Sequence, residues 1–143
     1  MTKTTTLALT LLLGAMIALP HTALAGKPDR NPSDKECPNA DVATRCSDEL
    51  DAAYDLVGWL LGNNAEGEYF LSRNPANDAG TLQCKISGAE LKLYQGKDGE
   101  ASSLLDKAIE KIWSLYGQGK LSYEGLDLLN GAFGAAKSCI DGY

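Results

Sequence analysis

Histidine is nearly missing from this chain. The one present, His21, follows an apolar run near the start of the sequence. If the segment that holds it is removed, no imidazole remains. Ser-His-Asp and Cys-His catalysis and the commonest transition-metal ligand are then excluded. Positive charge is also scarce, with 13 Lys and Arg against 19 Asp and Glu and a formal net charge of −6. Such a chain has little to offer the phosphates of nucleic acid or an anionic lipid surface. No glycine-rich stretch follows a strand and opens a helix as a phosphate loop requires. The four cysteines lack the close pairs of a zinc knuckle: Cys37 and Cys46 are nine residues apart, and Cys84 and Cys139 stand alone.

The longest apolar run, Leu7 to Leu19, has thirteen residues, short of the about twenty that a membrane span needs. It follows Lys3, is broken by Pro20-His21 and ends at Ala23-Leu24-Ala25. A basic start, a short apolar centre and a small-x-small exit describe a secretory signal peptide over residues 1–25. An uncleaved anchor is the competing reading, and no cysteine follows the cut to carry a lipid. Cleavage before Gly26 leaves 118 of the 143 residues and removes only Lys3 among charged residues, shifting the net charge from −6 to −7. The product is a periplasmic or secreted protein with no membrane insertion. An even cysteine count in such a small exported domain favours two disulfides. Residues 26–39, with Pro28, Pro32 and Pro38 among charges, cannot bury enough apolar surface to order themselves and read as a mobile leader.

Residues 40–143 read as one helical domain. Val42, Cys46, Leu50, Ala53, Tyr54, Val57, Leu60 and Leu61 recur at threes and fours, predicting a helix over 41–62 stopped by Gly62-Asn63-Asn64. In the long connection that follows, Tyr69-Phe70-Leu71 is apolar enough to fold back as a lid or form one short strand. Residues 81–94 support two readings. Leu82, Cys84, Ile86, Leu91 and Leu93 alternate as in a hairpin, whereas Leu82, Ile86, Ala89 and Leu93 fit a helix with Cys84 and Leu91 on its opposite side. The helix, over 78–95, is favoured, as a central element buried on two sides. Further stripes over 99–116 (Leu104, Leu105, Ala108, Ile109, Ile112, Leu115, Tyr116) and 123–139 (Leu126, Leu129, Phe133, Ala136, Ile140) flank a Gly117-Gln118-Gly119-Lys120 break. Glycine stops the first of these helices and Ser122 caps the second, predicting an αα-hairpin. The expected fold is an all-α four-helix bundle of αα-hairpins stapled by two disulfides.

The stretch "GAELKLYQGKDGEASSLLDKAIEKIWSLYGQGKLS…AAKSCI" resembles the FIMAH-like helix-hairpin modules of bacterial exported proteins, over residues 82–139. The likeness lies in the spacing of two Gly-Lys turns around a long amphipathic helix. It implies an accessory or binding role without catalysis.

With imidazole gone and thiols oxidised, an enzyme would have to work with paired carboxylates, as a glycan hydrolase does. Glu66 and Glu68 in the long connection are the candidates, and solvated loop charge is the plainer account of them. Asp98 and Glu100 in "GKDGEAS" lack the alternating oxygen ligands of a calcium loop. No catalytic residue, metal site or cofactor is therefore assigned. The expected function is an exported binding or accessory protein with a protein partner in the cell envelope or outside the cell. An inhibitor or immunity protein against a toxin or cell-wall hydrolase is the alternative, and a carboxylate hydrolase the remote one. The expected disulfides are Cys37–Cys46 and Cys84–Cys139, the latter closing a loop of about 55 residues worth roughly 2–4 kcal/mol. The candidate partner-binding face is Asp48, Asp51, Asp55 and Trp59, which share one side of the first helix away from its apolar stripe. Trp59 is either covered by Tyr69-Phe70-Leu71, the favoured reading, or left exposed as an aromatic anchor.

Overall fold

Four helices follow one another with short connections in the computed structural model, which describes Cys37 and residues 42–142. The expected signal peptide over 1–25 and, apart from Cys37, the expected leader over 26–39 lie outside these residues. The helices are α1 (Ser47–Gly62), α2 (Pro75–Tyr94), α3 (Asp98–Gly117) and α4 (Tyr123–Asp141). Each packs on its chain neighbours, and α4 closes the ring on α1, leaving α1 and α3, and likewise α2 and α4, on the diagonals. Turns 95–97 and 118–122 and the loop 63–74 connect antiparallel neighbours. The loop and the second turn lie at what is here termed the upper end.

The stripes seen in the sequence form the core. Leu50 and Val57, Leu82 and Ile86, Leu105 and Ile112, and Leu129 and Phe133 face one another, all fully buried or nearly so. Residues 81–94 are helical, as favoured over the hairpin. Among the described residues the sole strand-like pairing is an isolated antiparallel bridge between Phe70 and Leu121.

Several boundaries differ from expectation for local reasons. Helix α1 begins at Ser47 rather than residue 41, because the Thr44 amide donates to Ser47 Oγ (2.7 Å) and the Ser47 amide returns to the Thr44 carbonyl (3.3 Å). That turn precedes the first helical hydrogen bonds. Helix α2 begins earlier than residue 78: Asn74 Oδ1 accepts from the Asn77 amide (3.1 Å), and Pro75 takes the first helical position, where its missing N–H costs nothing. Ser122 caps α4 as expected, accepting from the Gly125 amide at 3.0 Å. Gly119, with φ +71°, makes the left-handed turn between α3 and α4. Helix α2 is one of four around a shared core rather than central. Its far side, with Cys84 and Leu91, is half-buried and lines an open groove of about 390 Å³ against Leu104 of α3.

All four cysteines are disulfide-bonded, but not as expected. The pairs are Cys37–Cys84 and Cys46–Cys139, with Cα separations of 4.8 and 5.9 Å. The expected Cys84–Cys139 bond would join diagonal helices at different heights. Cys84 stands ten residues, or about 15 Å, above the lower end of α2, whereas Cys139 lies within a turn of the lower end of α4. Cys46, fully buried at the foot of α1, is what Cys139 meets. Nearness in sequence suggested Cys37–Cys46, yet the antiparallel closure of α4 on α1 decides the pairing.

The sequence stripes also missed polar groups on α2. Gln83 is 2% exposed, Glu90 4% and Asp78 8%. Gln83 Nε2 reaches the Tyr54 carbonyl at 3.4 Å, while its Oε1 has no protein partner. A buried, half-satisfied amide costs more than an apolar side chain of the same shape.

Two outcomes are expected. Peptide mapping without reductant will recover Cys37 linked to Cys84 and Cys46 linked to Cys139, and Cys46→Ser with Cys139→Ser will lower unfolding free energy by about 2–5 kcal/mol. Gln83→Met, close in volume and without polar atoms, will raise stability by about 1 kcal/mol in urea titration.

Candidate partner-binding site

The upper end of the bundle is organised by Asn64. Its Oδ1 accepts from the amides of Tyr69 (2.9 Å) and Phe70 (2.8 Å), and its Nδ2 donates to the Phe70 carbonyl (2.9 Å). Gly67, at φ +68°, allows the tight loop that brings these groups back to Asn64. The returning segment pairs with the α3–α4 turn: the Leu71 amide donates to the Lys120 carbonyl and the Ser122 amide to the Tyr69 carbonyl, both at 2.8 Å. Extended backbone alternates its side chains. Phe70 and Leu121 therefore enter the core, each 1% exposed, while Leu71 turns outward. Asp78 holds the far side of the loop, accepting from Ser72 Oγ at 2.6 Å with Lys111 Nζ at 4.0 Å.

Tyr69 meets Trp59. Their ring centroids are 5.9 Å apart and the planes are tilted by 52°. Tyr69-Phe70-Leu71 thus folds back, yet Trp59 stays 53% exposed, so the indole is flanked rather than covered. A second group lies across the α3–α4 turn. Trp113 and Tyr116, three residues apart on one face of α3, are in edge contact at 6.5 Å, and Tyr116 meets Tyr123 at 6.4 Å. Trp113 is 51% exposed and Tyr123 70%. The Ser122–Tyr69 backbone bond links the segments that carry the two groups, so both aromatic clusters lie at one end of the molecule.

This end is also acidic. Residues 55–78 and 110–127 carry seven carboxylates against three cations. Burial pushes the Tyr69 hydroxyl above its ordinary value, and the charges of Glu124 and then Glu68 push it further. Those two carboxylates therefore stand beside Tyr69.

The residues singled out from sequence are distributed as follows. Asp48 and Asp55 are exposed, Asp51 is half-buried, and the three descend α1 away from Trp59. Asp55 is one turn from the indole, but Asp48 is eleven residues, about 16 Å, below it. Trp59 is brought to Tyr69 and not to the whole aspartate column. Glu66 and Glu68 are exposed on the loop. Asp98 and Glu100 are separately engaged, Asp98 with Arg45 at 3.2 Å and Glu100 with Lys92 at 2.7 Å. The Lys92 hydrogen bond, followed by its charge, holds the Glu100 carboxyl below its usual range. Among the described residues no group of three His, Cys, Asp or Glu side chains is placed to hold a metal ion, and no helix is long and apolar enough to cross a membrane.

Tyr116, Tyr123 and Asn64 escaped the sequence reading. Tyr116 was assigned to the buried stripe of its helix, although it lies three residues from Trp113 on the outward side. Tyr123 directly follows the cap of α4, a position that faces out of the hairpin.

Asn64→Ala is expected to cost about 2–3 kcal/mol, from three hydrogen bonds at roughly 1 kcal/mol each. In a Trp113→Phe background, where Trp59 is the sole indole, the same change will red-shift emission and increase acrylamide quenching as Tyr69 leaves the ring.

Comparison with protein-family models, with curated proteins and with solved structures found no match to this chain.

Proposed function

We propose that this is an exported helical binding or accessory protein without catalytic activity, which engages a protein partner through the upper end of its bundle. The observation that carries the reading is the placement of exposed aromatic side chains. Among the described residues, seven large hydrophobic side chains are exposed, and five of them, Trp59, Leu71, Trp113, Tyr116 and Tyr123, gather at this end. Scattered single exposures are ordinary, but a concentration of them at one end is a mark of an interaction surface. Tryptophan and tyrosine are the residues most enriched at interface hot spots.

The remaining features agree with this reading. A bundle closed by two disulfides suits an oxidising compartment, periplasmic or extracellular. The signal peptide over 1–25 and the resemblance of residues 82–139 to FIMAH-like modules support export and an accessory role. Glu66 and Glu68 lie exposed on the loop, which agrees with solvated charge rather than a carboxylate hydrolase. The excess of carboxylates at the upper end also favours the inhibitor or immunity alternative, in which the partner is a basic enzyme.

The test is capture from periplasmic extract by the immobilised protein, compared with a Trp59→Ala, Tyr123→Ala variant. A specific partner will be retained by the wild type at low salt and lost with the variant, while the circular dichroism melting curve changes little. Retention that is indifferent to both substitutions would refute the assigned surface. If the retained protein is a hydrolase whose activity falls on binding, the inhibitor reading replaces the accessory one.

A further inference from the structure

We infer that the partner surface read by the aromatic end is a basic polypeptide segment, whose lysine and arginine side chains lie against the rings of Trp113, Tyr116 and Tyr123. This rests on the preceding assignment of the upper end as an interface and adds the chemistry of what it binds.

Four observations converge. First, the rings are held at angles to one another, 85° between Trp113 and Tyr116 and 65° between Tyr116 and Tyr123, with centroids 6.4–6.5 Å apart. Rings at such angles present faces in different directions, and a cation within about 6 Å of a ring centroid is attracted by the negative face of the π system. Second, the end has seven carboxylates against three cations, and with Lys111 and Asp78 directed to each other at 4.0 Å the remainder is six against two. Third, α1 and α3 both finish here with no basic residue in their last turns, so the negative ends of two helix dipoles lack a cation of their own. The two helices that begin here bring positive ends of their own, but each is already met by an acidic residue in its first turn, Asp78 in α2 and Glu124 in α4.

Fourth, the surface is open. Trp113 and Tyr123 are half or more exposed. A small organic cation would need a concave site that buries most of its surface. A polypeptide can cover an open run of rings and reach the acidic rim at once. Negative charge on both sides disfavours nucleic acid and anionic membrane. Arginine and lysine stems can also bury their methylenes along the rings while their heads reach Glu124 or Asp127.

The experiment is selection of binders from a random twelve-residue peptide library displayed on phage, with the full exported protein as bait. The enriched peptides are then synthesised and titrated. Peptides rich in arginine and lysine are expected, binding at least tenfold more weakly to Trp113→Ala and to Tyr123→Ala. Trp113→Phe should retain most of the affinity, because a ring face remains. Glu124→Lys with Asp127→Lys should also weaken binding at least tenfold, and affinity should fall from 50 to 500 mM salt. Melting curves of the variants will show that the fold persists, since each altered side chain is exposed. Enriched peptides that are neutral or acidic, yet still depend on Trp113 and Tyr123, would overturn the basic partner and leave the interface assignment intact. Basic peptides that bind all variants equally would overturn the site. Absence of any enriched peptide would count against both the partner chemistry and the surface. Direct binding of tetramethylammonium at millimolar concentration, equally tight for the wild type and Glu124→Lys with Asp127→Lys, would overturn the polypeptide as the ligand.

Discussion

The joint between Phe70 and Leu121 is the constraint on which the upper half of this molecule depends. Four amphipathic helices can bury their stripes against one another along their length, but the ends of such a bundle stay open to water. Here one end is closed by two side chains carried on irregular backbone, a loop and a turn. Irregular backbone must satisfy its own amides. The loop does so through Asn64 and the turn through two cross-links to the loop. Placing Phe70 in the core turns Leu71 outward, while Tyr69 stays buried with its ring against Trp59. The plug also fixes where Tyr69 sits, and through its ring contact it sets the surroundings of Trp59.

The opposite end is held by different forces. Cys46–Cys139 joins α1 to α4, Arg45 donates to the Ile140 carbonyl at 2.7 Å, and Asp141 accepts from Ser102 at 2.7 Å and from Lys137. The Lys137 and Ser102 hydrogen bonds hold the Asp141 carboxyl below its usual range, and the Asp141 bond raises Lys137. A depressed carboxyl contributes stability above its unfolded-state value and loses it as pH falls through the folded one. A raised lysine does the reverse, losing its contribution as pH rises through its folded value. The pair is therefore fully effective across the neutral range, although both groups are too solvated for it to count heavily. Covalent and ionic ties thus secure the lower end, and packing with backbone hydrogen bonds secures the upper.

Helix periodicity made most of this fold legible. Each stripe became a buried face because recurrence at threes and fours is a property of single helices, visible without partners. The Gly-Gln-Gly-Lys break and the Ser122 cap were legible for the same reason, as local backbone chemistry. Pairing was not. Which cysteine meets which depends on the order of helices around the ring and on height along them, and neither is written in spacing. Gln83 and Glu90 were invisible because a polar residue within a stripe reads as the stripe's edge. The site was legible by halves. Trp59 stood out because it left the apolar stripe of α1, and Tyr69 because its neighbours were apolar. Tyr116 was absorbed into a stripe it only borders, and Asn64 looked like one more loop residue.

The disulfides also overlap along the chain. The span from Cys37 to Cys84 and the span from Cys46 to Cys139 share residues 46–84, and together they run without a gap from 37 to 139. A single peptide-bond cleavage anywhere in that range therefore leaves both fragments covalently joined. Had the bonds closed in sequence order, a nick in the exposed loop 63–74 would have released two separate halves. As built, a protease that cuts this loop produces a nicked molecule of unchanged composition, whose halves remain positioned to re-associate.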